Sequence, residues 1–146
     1  MSVKVKVESY KPEFLAAAKK AVNRAMGDIG KRAVTHAQDI TPVDTGRLKN
    51  SIAYATIRRQ ERTYTFKWTN KDKETVKETS EIGGGVPFGT VVIGSNVEYA
   101  EAIEEGRQGA GGYHMLRDAL ADHGDEYERI LKASLIAGLE DFEETP

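Results

Sequence analysis

The sequence has no cysteine, which removes disulfides, thiolate metal sites and cysteine nucleophiles together. It has one tryptophan and 8% aromatic residues overall, so a core must be built mainly from aliphatic side chains and alanine. The hydrophobic fraction of 39% is sufficient for that and argues against wholesale disorder. No run of 18 or more apolar residues occurs, which excludes a conventional transmembrane helix. The opening residues alternate valine with lysine and lack an apolar stretch of signal-peptide type, so a soluble, intracellular chain is expected. A length of 146 residues fits one domain.

Charge is present in nearly equal amounts of both signs, but it is not evenly placed. Residues 1–46 carry 8 basic and 5 acidic side chains, residues 47–77 carry 9 and 3, and residues 78–146 carry 4 and 15. A basic middle and an acidic end can neutralise each other by folding back. They can equally meet across two copies of the chain, or remain as solvated faces.

Val3, Val5 and Val7 alternate with charged residues, the period of a half-buried strand. Pro12-Glu13 suits the first turn of a helix, and Phe14, Ala18, Ala21, Val22, Ala25, Met26, Ile29, Ala33, Val34 and Ala37 continue it. That predicts a helix of about 27 residues with an alanine-rich stripe, stopped by Thr41-Pro42. Gly27 and Gly30 either weaken it or mark a close crossing. Ile52 to Ile57 and Thr63 to Thr69 read as two strands of a hairpin turning near Gln60-Glu61-Arg62, with Tyr64, Phe66 and Trp68 on its buried side. Thr90 to Ile93 reads as a third strand closed by Gly94. Residues 70–89 between them, ending in Gly83-Gly84-Gly85, read as an extended flexible arm, and residues 106–112 as a flexible loop. Ser95 and Glu98 have the spacing of a capping box before a short helix ending at Gly106. A last helix is expected from about Met115 to Asp141, with a bend at Gly124 as an alternative. The fold class is α+β: a long N-terminal helix and a C-terminal helix packed on a small antiparallel sheet, in a single domain over residues 1–146.

Asp44-Thr45-Gly46 is the tripeptide of retroviral-type aspartic proteases, which pair one such aspartate from each of two chains. The context argues against that chemistry, because here the aspartate follows a helix and a proline and precedes Arg47. The structural reading makes Asp44 or Thr45 the cap of a short turn over residues 46–51, with Arg47 pairing with Asp44 or reaching a neighbouring subunit. His36, His114 and His123 lack metal-binding spacing; a site would need the first and last helices to bring them together, and no metal is expected. The glycine triplet lacks the flanking residues of a phosphate or dinucleotide loop, so no cofactor is expected. Arg58, Arg59, Arg62, Lys67, Lys71, Lys73 and Lys77 interleave with the hairpin aromatics, a pattern that suits single-stranded nucleic acid or the wall of a DNA channel. Alternation, however, turns those aromatics inward.

Four segments share an order with one known family: Thr41-Pro42-Val43-Asp44-Thr45-Gly46-Arg47-Leu48-Lys49-Asn50-Ser51-Ile52; Val92-Ile93-Gly94-Ser95-Asn96-Val97-Glu98-Tyr99-Ala100; Ile103-Glu104-Glu105-Gly106; and Met115-Leu116-Arg117-Asp118-Ala119-Leu120. The chain resembles the small tail-component family of long-tailed bacteriophages and prophages, assigned to the neck or tail-completion region. Its members show Pro-Val-Asp-Thr-Gly-x-Leu-x-x-Ser-Ile, Val-Gly-Thr-x-Val-x-Tyr-Ala, Glu-x-Gly-Thr and Arg-Pro-Phe-Leu-Arg-Pro-Ala-Leu. Arg107 stands where the third pattern has threonine, and the prolines of the fourth are absent at 114 and 118, so the final helix is free to begin earlier. The resemblance spans about residues 11–140. It implies a non-enzymatic virion protein, a ring-forming tail-completion or head–tail joining subunit, hexameric or dodecameric, seated between connector and tail tube. Its partners would be copies of itself and other phage neck and tail proteins, with DNA at most passing through a channel and no membrane. It would assemble in the host cytoplasm and reside in the virion. The alternative is a nucleic-acid-binding module using the basic hairpin from Arg58 to Lys77.

Overall fold

A computed structural model of the chain describes residues 12–60, 63–107 and 111–140. The expected strand at Val3–Val7, Arg62 of the first turn and residues 108–110 of the second loop lie outside the described residues. Five helices and four strands follow in order: α1 (Pro12–Ile40), α2 (Arg47–Ser51), β1 (Ala53–Ala55), β2 (Thr63–Thr69), β3 (Thr75–Glu81), β4 (Val92–Gly94), α3 (Ala100–Glu105), α4 (Met115–Ala121) and α5 (Gly124–Leu139). The fold is α+β, as the periodicities predict.

The alanine stripe of α1 is the spine of the molecule. Val22, Ala25, Met26, Ile29 and Ala33 are buried against Tyr127 and Leu131 of α5, with Leu135 and Leu120 flanking them. Small residues let the two backbones approach closely, so that a side chain on Gly138 would collide with Ala21. Gly30 is the close crossing that the sequence suggests, because the Tyr54 ring of β1 lies directly over it, while Gly27 faces open space. Ala37 and Ala119 meet Ile52 further along α1. The helix ends where Thr41 turns its hydroxyl back onto the Ala37 carbonyl at 2.6 Å, just before Pro42.

Strand pairing differs from expectation. β1 pairs antiparallel with β4, Tyr54 opposite Ile93. β2 pairs with β3, not with β1: Trp68 faces Val76, Phe66 faces Glu78 and Tyr64 faces Ser80. The segment 70–89, expected to be an extended arm, therefore contains a strand of seven residues. Its hairpin turn is closed by Asn70, whose side-chain oxygen accepts the backbone N–H groups of Asp72 and Glu74 at 3.0 and 2.9 Å. The glycine-rich remainder is tied down at both ends, with Ile82 and Val86 buried against Ala55 and Tyr64. The Val86 N–H also reaches Gln60 at 2.9 Å.

The single C-terminal helix resolves into two, α4 and α5, separated at Asp122-His123. Glycine at 124 lowers helix propensity where the direction changes, and the bend lets Ala119 and Tyr127 both reach α1. The Tyr127 hydroxyl donates to the Ala119 carbonyl across the bend. Burial pushes that phenol up to about 12.

Candidate functional site

The residues singled out in the sequence form two short segments, and the fold brings them together. The first begins after α1, where Gly46 adopts φ +81° and launches α2. A left-handed conformation at that point favours glycine. Thr45 fixes the turn from both sides: its hydroxyl accepts the Arg47 N–H at 3.3 Å and its carbonyl accepts the Thr69 N–H of β2 at 3.2 Å. Thr45 thus shapes the turn that leads into the helix, but the N-cap position itself falls on Gly46, so neither Asp44 nor Thr45 takes the expected capping role. Asp44 is exposed and has no hydrogen bond or ion pair among the described residues. Leu48 projects inward beside Phe66, Val97, Ala100 and Met115.

Ser51 joins the first segment to the second. It is completely buried, and its hydroxyl donates to the Leu48 carbonyl at 2.6 Å while meeting the Ser95 hydroxyl at 2.5 Å. Its carbonyl accepts the Tyr64 hydroxyl of β2. Ser95 in turn accepts the Val97 N–H at 3.1 Å, and Asn96 donates to the Ser80 hydroxyl and the Glu81 carbonyl at the end of β3. The capping box expected from Ser95 and Glu98 does not form. The helix starts later, with Tyr99 as its N-cap residue, and the Glu98 carboxylate is committed elsewhere.

That commitment is to Arg47, whose ion pairs are with two glutamates of its own chain and not with Asp44. Its guanidinium grips Glu78 of β3 with Nε and Nη2 at 2.9 and 3.2 Å, and reaches Glu98 with Nη1 at 2.7 Å. The rings of Trp68 and Tyr99 each lie 5.7 Å from it. The Trp68 indole N–H also donates to Glu78, at 3.2 Å. Hydrogen bonding to Arg47 holds both carboxyls below the usual range, and the two carboxylates push the guanidinium further up. One side chain thus clamps α2, the hairpin and the approach to α3. Arg47 occupies the position that the family pattern leaves open.

An open cleft of about 300 Å³ runs beside this clamp, lined by residues 42 to 48 with Tyr99 and Ile103. Asp44 lines it at the surface, beside Val43 and Thr45. Val43, Tyr99 and nearby Tyr113 are exposed apolar side chains around it. Ala100 is buried just behind Tyr99.

The described basic residues are spread along the hairpin. Arg58 and Arg59 precede β2, while Lys71 and Lys73 follow it at the hairpin turn; the strand between them spans about 20 Å. Arg59 is folded over the Tyr54 ring at 4.4 Å. Lys67 and Lys77 face each other on the exposed side of the hairpin, while Phe66 is buried on the other side.

Glu104 is a site residue that composition and spacing do not reveal. It is buried, and its two carboxylate oxygens accept the Leu116 and Arg117 N–H groups at 2.8 and 3.0 Å, capping α4. Its carbonyl accepts the His114 N–H at 3.1 Å. The available signal was its place as the glutamate of the Glu-x-Gly step.

Residues 4–106 match the family model described as "Bacteriophage HK97-gp10, putative tail-component". The match covers α1 through α3 and both joined segments, and stops before α4 and α5. No curated protein and no solved structure matches the chain.

Proposed function

Since the chain belongs to the HK97-gp10-like bacteriophage tail-component family, we propose that it is a tail-completion or head–tail joining subunit that assembles without catalysis into a ring between connector and tail tube. A tail component works alongside other phage proteins and resides in the virion. No helix among the described residues is long and apolar enough to cross a membrane.

The observation that carries the reading is the Arg47 clamp. The two family segments are spent on holding α2, the hairpin and α3 in one arrangement, and the aspartate of the Asp-Thr-Gly tripeptide is left at the cleft surface. Such a site suits a shaped surface held ready for contact with other proteins. The distribution of charge supports a heterologous contact between copies. Lys67, Lys71, Lys73 and Lys77 are exposed on the hairpin beside Asp72, Glu74 and Glu81, and Glu101, Glu105, Asp122, Asp125 and Glu128 are exposed from α3 onward beside Arg117, Arg129 and Lys132, so a contact between copies would match individual charges across it. A stable contact of this kind buries on the order of 1,600 Å². DNA enters the reading only as cargo passing a ring without base readout.

Complementation tests it. Phage deprived of this subunit should accumulate unjoined heads and tails, and Asp44→Asn supplied in trans should restore plaques to the wild-type number. If Asp44→Asn folds normally yet blocks virion formation and the cleavage of a virion protein, the structural reading is wrong.

A further inference from the structure

Three side chains meet at the bend between α4 and α5 that no simple spacing brings together. His36 lies on α1, one turn beyond Arg32; His123 precedes α5, and Glu126 sits in its first turn. The His36 Nε2 is 2.8 Å from Glu126 Oε2, and the His123 Nδ1 is 3.9 Å from the same oxygen. The two imidazoles are stacked, with centroids 3.4 Å apart and planes 4° from parallel. Among the described residues, this is the group whose donor atoms all lie within 4.8 Å of one another in the manner of a metal site.

We propose that His36, His123 and Glu126 form a binding site for a borderline divalent transition metal, of which zinc is the representative. The donor set decides the class: two imidazoles and one carboxylate suit zinc, nickel, cobalt or copper, whereas calcium and magnesium require oxygen-rich shells. The donors are gathered but not yet aimed: the in-plane lone pairs of two imidazoles stacked 4° from parallel do not converge on one point, so the more exposed His123 ring must turn out of the stack on binding. Bonds of about 2.0–2.1 Å at tetrahedral angles set donor atoms roughly 3.3 Å apart. The observed 2.8 and 3.9 Å from the shared oxygen bracket that value, so the oxygen–nitrogen spacings change by only about half an ångström once the ring has turned. The carboxylate is already oriented, because the Arg32 Nε holds its other oxygen at 2.6 Å and leaves Oε2 to the histidines. The side chains of His36, Glu126 and His123 are 12%, 26% and 37% exposed, which seats the site at the rim and leaves room for water as a fourth ligand. A metal there ties α1 to the start of α5 at the bend that positions Tyr127. This inference is independent of the assembly reading and stands if that reading fails.

Zinc sulfate titrated into the full-length chain, followed by calorimetry and thermal unfolding, tests it. The expected result is saturation near one equivalent per chain and a rise in Tm that EDTA reverses. His123→Ala and Glu126→Gln, both at the rim and checked for native circular dichroism, should each weaken zinc affinity at least about tenfold. His114→Ala should leave it unchanged. Magnesium at the same concentration should produce no shift. Absence of saturable zinc binding, equal affinity in the His123→Ala and wild-type chains, or an equal response to magnesium would each overturn the assignment.

Discussion

Replacing Arg47 by methionine keeps most of the aliphatic stem and removes the charge. The side chain is 20% exposed and its main partner Glu78 is 28% exposed, so the pair lies between a surface bridge and a buried one. Surface bridges contribute about 0–1 kcal/mol, while breaking a buried pair costs about 3–5 kcal/mol. Hydrogen bonds to charged groups contribute about 1.5–3 kcal/mol net. The contacts with Trp68 and Tyr99 add about 0.5–1 kcal/mol. Glu98 is 71% exposed, and solvent screens its share. The expected loss is therefore about 2–3 kcal/mol, read as a lower urea midpoint with unchanged slope. Glu78→Gln in a double-mutant cycle should show coupling of about 1–2 kcal/mol. The acid limb moves as well. Because Arg47 lowers the Glu78 carboxyl in the folded chain, this stabilisation is fully present above the unfolded value near pH 4.3 and is lost as pH falls through the depressed folded value. Arg47→Met should therefore flatten the loss of stability at acid pH, leaving the part due to Glu126, which Arg32 and His36 depress in the same way. A loss under about 0.5 kcal/mol, or zero coupling to Glu78, would refute the clamp as the organising contact.

Other substitutions test the packing. Gly30→Ala should destabilise by about 1–3 kcal/mol, because its methyl would enter the Tyr54 ring, whereas Gly27→Ala, facing open space, should stabilise by about 0.5–1 kcal/mol; parallel urea curves separate the two. Glu104→Ala removes the acceptor of two helix N–H groups and should cost about 2 kcal/mol, with hydrogen exchange accelerated first at Leu116 and Arg117. Leu131→Ala in the α1–α5 core should cost about 2–5 kcal/mol by calorimetry.

Where periodicity reports on burial, the sequence was legible. The stripe of α1, the inward aromatics of β2 and the glycine that ends α3 follow from local pattern. β3 was hidden because its inward positions are Val76, Glu78 and Ser80, and only the first is apolar. Glu78 is tolerated there because Arg47 and Trp68 satisfy it, a fact carried by residues far away in the chain. The same remote partner diverts Glu98 from the capping role that its spacing suggests. His36 and His123 reveal nothing by spacing, since 87 residues separate them and only the bend at α5 unites them. Of the two segments, the sequence marks which residues matter; that they clasp each other through Ser51 and Ser95 is a property of the fold.

The most direct test of the account is the mass of the particle in native buffer, alone and with connector and tail-tube proteins added. Assembly into a closed ring predicts a species of six or twelve times the 16.1 kDa chain mass, formed alone or on the added partners, and dissociating when the hairpin lysines are reversed in charge. A particle that stays at 16.1 kDa under every one of these conditions would contradict it.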